Sequence, residues 1–216
     1  MIYPTVNFVK RLHEYIIDTT GGETGILDSG LLESAVERSR TVIHGYEPFK
    51  DTITKAVATG YAIISWHPFV DGNKRTGIET IRDVLWVNGI YMALPPYIVK
   101  YSIQAAVPET AKIHINEEQF VKRIMSLSST SGISRWWKRL RYEYIPYSRL
   151  IGYLELFKRW PQSKNISETL FRTMLDWFAA GDAKILKETF EEWSKWSGRT
   201  IQKEWKPEKG DFIIES

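Results

Sequence analysis

Cysteine is absent from the chain. That excludes disulfides, zinc ribbons and thiol nucleophiles, and it fits a reducing compartment. Also missing is any run of roughly 18 uninterrupted apolar residues, so no membrane span is expected. The first residues, Met1-Ile2-Tyr3-Pro4, lack the basic stretch and apolar run of a secretory signal. A cytoplasmic location is the expectation. Charge of one sign is scarce: the net is +3, too weak to imply nucleic acid as a partner. The histidines, four in number, include no two at ligand spacing, so a zinc site is not expected. There is no internal repeat and no low-complexity tract.

What remains is enough for a packed core. The 216 residues are 43% hydrophobic and 25% charged, which argues against disorder. Charge and tryptophan are unevenly spread. Residues 1–130 hold 13 Lys/Arg and 14 Asp/Glu, whereas residues 131–216 hold 16 and 12. Seven of the nine tryptophans lie between Trp136 and Trp205. This divides the chain into residues 1–128 and a Trp-rich part, 129–216, with Ser126–Ser134 as the linker candidate.

Periodicity predicts helices nearly throughout. Phe8, Val9, Leu12 and Ile16 repeat at helical spacing after Thr5, a plausible N-cap, and Gly21-Gly22 ends that helix. A second helix follows Asp28 or Ser29 and buries Leu31, Leu32, Ala35 and Val36. Thr41–Asp51, with Gly45 and Pro48, reads as an irregular or hairpin-like excursion. A third helix, Asp51 to Trp66, carries an apolar stripe of Ile53, Ala56, Val57, Gly60 and Ile64. A fourth runs from Asn73 to Asn88, with Ile78, Ile81 and Leu85 inside. Its Glu79, Arg82 and Asp83 read as a solvated face, with a possible Glu79–Arg82 pair. Pro95-Pro96 opens a fifth. Asn116 to Gln119 resembles a capping box ahead of Phe120, Val121 and Ile124. Residues 135–196 again read as helices. There Arg135-Trp136-Trp137-Lys138-Arg139-Leu140-Arg141 fits a surface for nucleic acid or an acidic partner, or an amphipathic helix whose indoles pack inward. The second is the better reading. A sharper expectation is that this part regulates the first in cis.

The informative stretch is His67-Pro68-Phe69-Val70-Asp71-Gly72-Asn73-Lys74-Arg75, between the third and fourth helices. Helix N-termini offer unpaired N–H groups and partial positive charge, which suit phosphate. Gly72 lets backbone approach an anion closely. Lys74 and Arg75 add full charges there. Asp71 suits Mg²⁺ beside phosphates, and on its own could be an N-cap. His67 titrates near neutrality and could take a proton from a hydroxyl. Base, metal ligand and phosphate cradle together describe phosphoryl or nucleotidyl transfer. His13 and His114 read as a helix-surface residue and a loop residue. His44 reads as a plain loop histidine that could touch substrate.

This run resembles the Fic/Doc motif His-x-Phe-x-(Asp/Glu)-(Gly/Ala)-Asn-(Gly/Lys)-Arg. Residues Gly21 to Ala35 resemble the N-terminal loop and helix of the Doc branch, and the resemblance covers roughly residues 1–126. It implies an all-α Fic/Doc bundle with a short flap hairpin, to which a C-terminal helical domain is appended. It implies that His67 is the general base, that Pro68 and Phe69 are structural, and that Asp71 coordinates Mg²⁺. Gly72, Asn73, Lys74 and Arg75 would form the nucleotide phosphate loop. The excursion would be the flap that docks the target as an added strand, through His44, Gly45 and Tyr46. Lysine at position 74, and Ile78 where the adenylylating branch has a second arginine, resemble the Doc branch. That implies transfer of the γ-phosphoryl group of ATP to a Ser or Thr hydroxyl. The target would be a protein, a translation elongation factor by family resemblance, in a growth-arresting toxin silenced by a separate antitoxin. Adenylylation by the same site is the alternative. A non-catalytic binding module retaining the fold is a third reading.

Overall fold

Four short strands and six α-helices order the computed structural model, which describes residues 1–95, 98–134 and 210–214. In chain order they are β1 (Ile2–Pro4), α1 (Val6–Thr20), α2 (Ser29–Glu37), α3 (Thr52–Trp66), α4 (Asn73–Val87), β2 (Tyr91–Met92), α5 (Ile98–Ala106), α6 (Glu117–Leu127), β3 (Ser128–Ser129) and β4 (Phe212–Ile214). One turn of 3₁₀ helix, Arg38–Arg40, follows α2. The fold is all-α in class, with strands too short to form a layer. Residues 135–209, including the Arg135–Arg141 stretch, lie outside the described residues, as does Pro96.

The helices begin where side chains can take up orphan backbone donors. Thr5 accepts from the Phe8 N–H, Asp28 from Leu31, Asp51 from Ile53 and Thr54, and Asn116 from Gln119. Asp51 and Asn116 form reciprocal capping boxes. Each cap is worth about 1 kcal/mol. Gly21, at φ 79°, ends α1 as the sequence suggests.

Helices α3 and α4 meet backbone to backbone. A Cβ on Gly60 would lie 2.5 Å from the Gly77 carbonyl oxygen and 2.3 Å from Ile81 Cγ1, and one on Gly77 would lie 2.5 Å from the Gly60 oxygen. Only glycine permits this approach. Two apolar clusters flank the pair. One joins Val57, Ile64, Ile81 and Leu85 to Ile98, Phe120 and Ile124 of α5 and α6. The other joins Phe8, Leu12 and Ile16 of α1 and Leu32 and Val36 of α2 to Ile63 and Phe69. The loop between α3 and α4 is thereby held over the second cluster.

Four expectations change. Leu31 is 37% exposed, because α2 is covered on one side only, by Leu32, Ala35 and Val36. Glu79 and Arg82 are buried rather than solvated, and they form an ion pair at 2.5 Å. Burial pushes the Glu79 carboxyl up to about 7, against the opposing pull of Arg82. The linker candidate is part of the bundle at its start. Ser126 and Leu127 finish α6, and Ser128–Ser129 pair antiparallel with Met92–Tyr91. Finally, the end of the chain returns to the first unit. Phe212–Ile214 pairs antiparallel with β1, Arg11 forks onto both oxygens of buried Asp211 at 2.9 and 2.8 Å, and Phe212 packs on Phe8. A cut after Ser128 would therefore also remove β4.

Candidate active site

The His67–Gly72 turn has a non-helical backbone that its neighbours enforce. His67 closes α3 at φ 54°, ψ 55°, a left-handed conformation that non-glycine residues adopt at a cost of about 1–3 kcal/mol. Pro68 follows, and its carbonyl accepts the N–H groups of Leu27 (2.8 Å) and Asp28 (3.2 Å). The Val70 N–H donates to the Gly25 carbonyl at 3.0 Å, so residues 25–28 brace residues 68–70 as a short antiparallel pair. Phe69 is fully buried. Its N–H donates to Asn73 Oδ1 (2.9 Å), and its carbonyl accepts from Asn73 Nδ2 (2.7 Å). The Asn73 amide thus closes the loop on itself, and the residue is buried.

Gly72, at φ 76°, is the residue before α4, and no side chain caps that helix. Asp71 is not the N-cap, which is Gly72: its Oδ1 accepts the adjacent Gly72 N–H at 2.5 Å. The mouth of α4 opens with a glycine, and N–H groups at a helix N-terminus are suited to anions. A cleft of about 190 Å³ opens there, lined by His67, Val70, Asp71, Gly72, Asn73 and Lys74.

Arg75 lies outside that lining. It is 1% exposed, with Nη1 donating to Thr20 Oγ1 and to the Gly21 carbonyl (2.7 Å), and Nη2 to Asp71 Oδ2 (3.3 Å). Its fork ties the end of α1 to the carboxylate. Gly22 is required beside this tie, since a Cβ there would stand 2.3 Å from Asp71 Oδ2.

The His67 imidazole is held below its ordinary pKa by desolvation first and by the charge of Lys74 second. A backbone hydrogen bond to Ala106 acts in the opposite sense, as a carbonyl accepting a ring N–H would. The first two effects favour the neutral ring, which offers a lone pair to a proton on the nitrogen not engaged with Ala106.

His13 is where the sequence reading fails. It was expected on the surface of α1 but is buried under the loop, its ring stacked on Phe69 and its Nδ1 3.2 Å from Thr76 Oγ1. A sequence signal existed: position 13 follows Val9 by four, on the apolar stripe of α1. His114 is a half-buried loop residue whose Nδ1 meets the Val107 carbonyl at 2.8 Å.

The flap region is a tight hairpin. Ile43 and Tyr46 exchange both backbone hydrogen bonds (2.9 and 2.8 Å) around His44 (φ 48°) and Gly45 (φ 81°). Two positive φ values are what a type I′ turn needs. Val42, Ile43 and Tyr46 are more than half exposed.

A helical bundle whose central turn carries this nine-residue loop defines a class, and comparison with known sequences agrees. A sequence model of the Fic/DOC family matches residues 3–85, so this part of the chain is a Fic/Doc segment. Toxin Doc of Mycolicibacterium smegmatis is 36% identical over 73 residues, 34% of this chain and 56% of that protein. The chain thus spans just over half the length of the curated relative it matches. Among the described residues no helix is long and apolar enough to cross a membrane.

Proposed function

We propose that the Fic/Doc segment transfers the γ-phosphoryl group of a Mg²⁺-bound nucleoside triphosphate, ATP foremost, to a Ser or Thr hydroxyl of a target protein. The observation that carries this reading is the position of Lys74. Its side chain lines the cleft on the first turn of α4, beside Asp71 and His67, where a triphosphate would lie. A lysine there fills space that a glycine would leave to backbone donors, and so it governs which phosphate faces the base.

The residues present suit Mg²⁺. Asp71 offers a hard carboxylate, 36% exposed and on the cleft, held by Arg75 from behind. Bound there, the ion would offset phosphate charge. Gly72 and the open first turn of α4 receive phosphate oxygens through backbone N–H groups. His67 accepts the hydroxyl proton on the ring nitrogen not engaged with Ala106, and the Ala106 carbonyl steadies the imidazolium that results. Asn73 and Phe69 hold this geometry. Arg75 contributes through Asp71, and the flap at His44, Gly45 and Tyr46 would seat the target strand.

Similarity to a protein named Toxin Doc supports a toxin-type growth regulator with a separate antitoxin as partner. The target we propose, on the motif's resemblance to the Doc branch alone, is a translation elongation factor. The test is incubation with γ-labelled ATP, Mg²⁺ and a cell lysate, followed by phosphoamino-acid analysis. Label on serine or threonine that disappears in His67→Ala and in Asp71→Ala is expected. Absence of labelled protein from the wild-type reaction sinks the proposal.

A further inference from the structure

The flap is nearly bare, and among the described residues one guanidinium joins its feet to the bundle. Residues 41–47 are exposed, and the reciprocal bonds of Ile43 and Tyr46 hold the hairpin to itself rather than to the helices. Arg38 stands three residues before the flap, at the start of the 3₁₀ turn. Its Cζ lies 5.2 Å from the ring centroid of Phe49, at the other foot of the flap. It also lies 5.7 Å from the ring of Trp66, the residue before His67. Such distances place the cation against both rings. The fork itself is fixed from below: Nη1 and Nη2 each donate to a carboxylate oxygen of Glu117 on α6, the second at 2.8 Å, and Nη1 reaches the Ala58 carbonyl on α3 at 3.3 Å.

We propose that Arg38 is a positioning residue that sets the flap against the catalytic loop, by holding Phe49 and Trp66 on one guanidinium anchored by Glu117. The inference rests on reading residues 41–51 as the target-docking flap. Both feet of the hairpin and the end of α3 converge on this one group. A planar fork can donate to both oxygens of a carboxylate and present its remaining surface to rings, whereas an ammonium cannot do both. A second tie from flap to bundle, Glu47 to Lys55, is long at 3.5 Å and its Glu47 end is 56% exposed, so it contributes little. Arg38 would therefore act on the protein substrate and not on the nucleotide.

The experiment measures transfer of γ-label from ATP to soluble lysate protein, at serial lysate dilutions, by the full-length chain and by Arg38→Met, Arg38→Lys and Glu117→Gln. Arg38→Met is expected to lower transfer about tenfold or more at low lysate, the scale of a misplaced substrate. The loss shrinks as lysate rises, and the KM for ATP stays unchanged. Arg38→Lys recovers at most part of it, and Glu117→Gln moves in the same direction as Arg38→Met. Equal transfer by wild type and Arg38→Met at every dilution overturns the inference. So does a loss matched by a rise in the KM for ATP, which would mean general damage. A wild-type chain that labels nothing overturns the functional reading instead. Hydrogen exchange then decides the clamp: Arg38→Met must speed exchange in residues 41–51 relative to α1, and unchanged exchange there overturns it.

Discussion

The imidazole of His13 lies flat on the phenyl ring of Phe69, with centroids 3.9 Å apart and planes 9° from parallel. Through this contact α1 supports the floor of the catalytic loop. A Cβ on Gly72 would meet Ile17 Cδ1 at 2.9 Å and His13 Cε1 at 3.4 Å, so α1 packs closely under the mouth of α4. Its Nε2 is buried without a hydrogen-bond partner. Protonation there would put a buried charge beneath the loop, near the Arg75 guanidinium.

A pH dependence of stability follows. Burial, and then the nearby charge of Arg75, lower the His13 pKa from 6.5 to about 4, with Asp71 opposing. Between those values the unfolded chain binds more protons than the folded one, so stability falls as pH falls from 6.5 toward 4 and is complete above 6.5. The shift corresponds to a loss on the order of 3 kcal/mol from this group. Urea unfolding at pH 7.5 and 4.5 measures it. His13→Phe keeps a ring on Phe69 and should flatten the slope. An unchanged slope would show that other groups carry it.

Asn73 makes a second prediction. Replacing it with alanine removes both bonds to the Phe69 backbone and leaves a buried N–H and C=O unpaired. Each such group costs about 1–3 kcal/mol. Chemical denaturation should show a loss within that range or above it, and nucleotide binding should fall because the loop opens. Wild-type stability in Asn73→Ala would contradict the clamp.

Gly22 gives a test of how Asp71 is placed. Gly22→Ala forces a methyl to within 2.3 Å of Asp71 Oδ2, at φ 127°. Gly21→Ala meets nothing within 4 Å and adds only backbone strain at φ 79°. Thermal shift with ATP should keep its Mg²⁺ dependence in Gly21→Ala and lose most of it in Gly22→Ala. Equal behaviour of the two variants would separate Asp71 from metal binding.

Much of this was legible because local chemistry decided it. Thr5, Asp28, Asp51 and Asn116 cap helices where side-chain oxygens follow turns, and Gly21 stops one, so their positions are written in single residues. The loop from His67 to Arg75 was legible as a run of residue types at a helix mouth. What escaped depends on partners that residue type does not name, most of them distant in the chain. Asn73 and Arg75 read as phosphate contacts by type. Yet the Asn73 amide is engaged by Phe69, and the Arg75 fork by Thr20 and Gly21, some 55 residues earlier in the chain. Glu79 and Arg82 look solvated by charge, but they face elements that the helical period alone does not identify. The return of β4 to β1 joins residues about 210 positions apart and leaves no local sign.

The central claim is that Lys74 directs the γ-phosphate toward His67. Two ATP preparations, one labelled at the γ- and one at the α-phosphate, are each incubated with the chain, Mg²⁺ and lysate, with His67→Ala as control. Transfer of the γ-label alone, lost in His67→Ala, is the result this account predicts. Transfer of the α-label to protein would make the segment a nucleotidyltransferase and contradict the role given to Lys74.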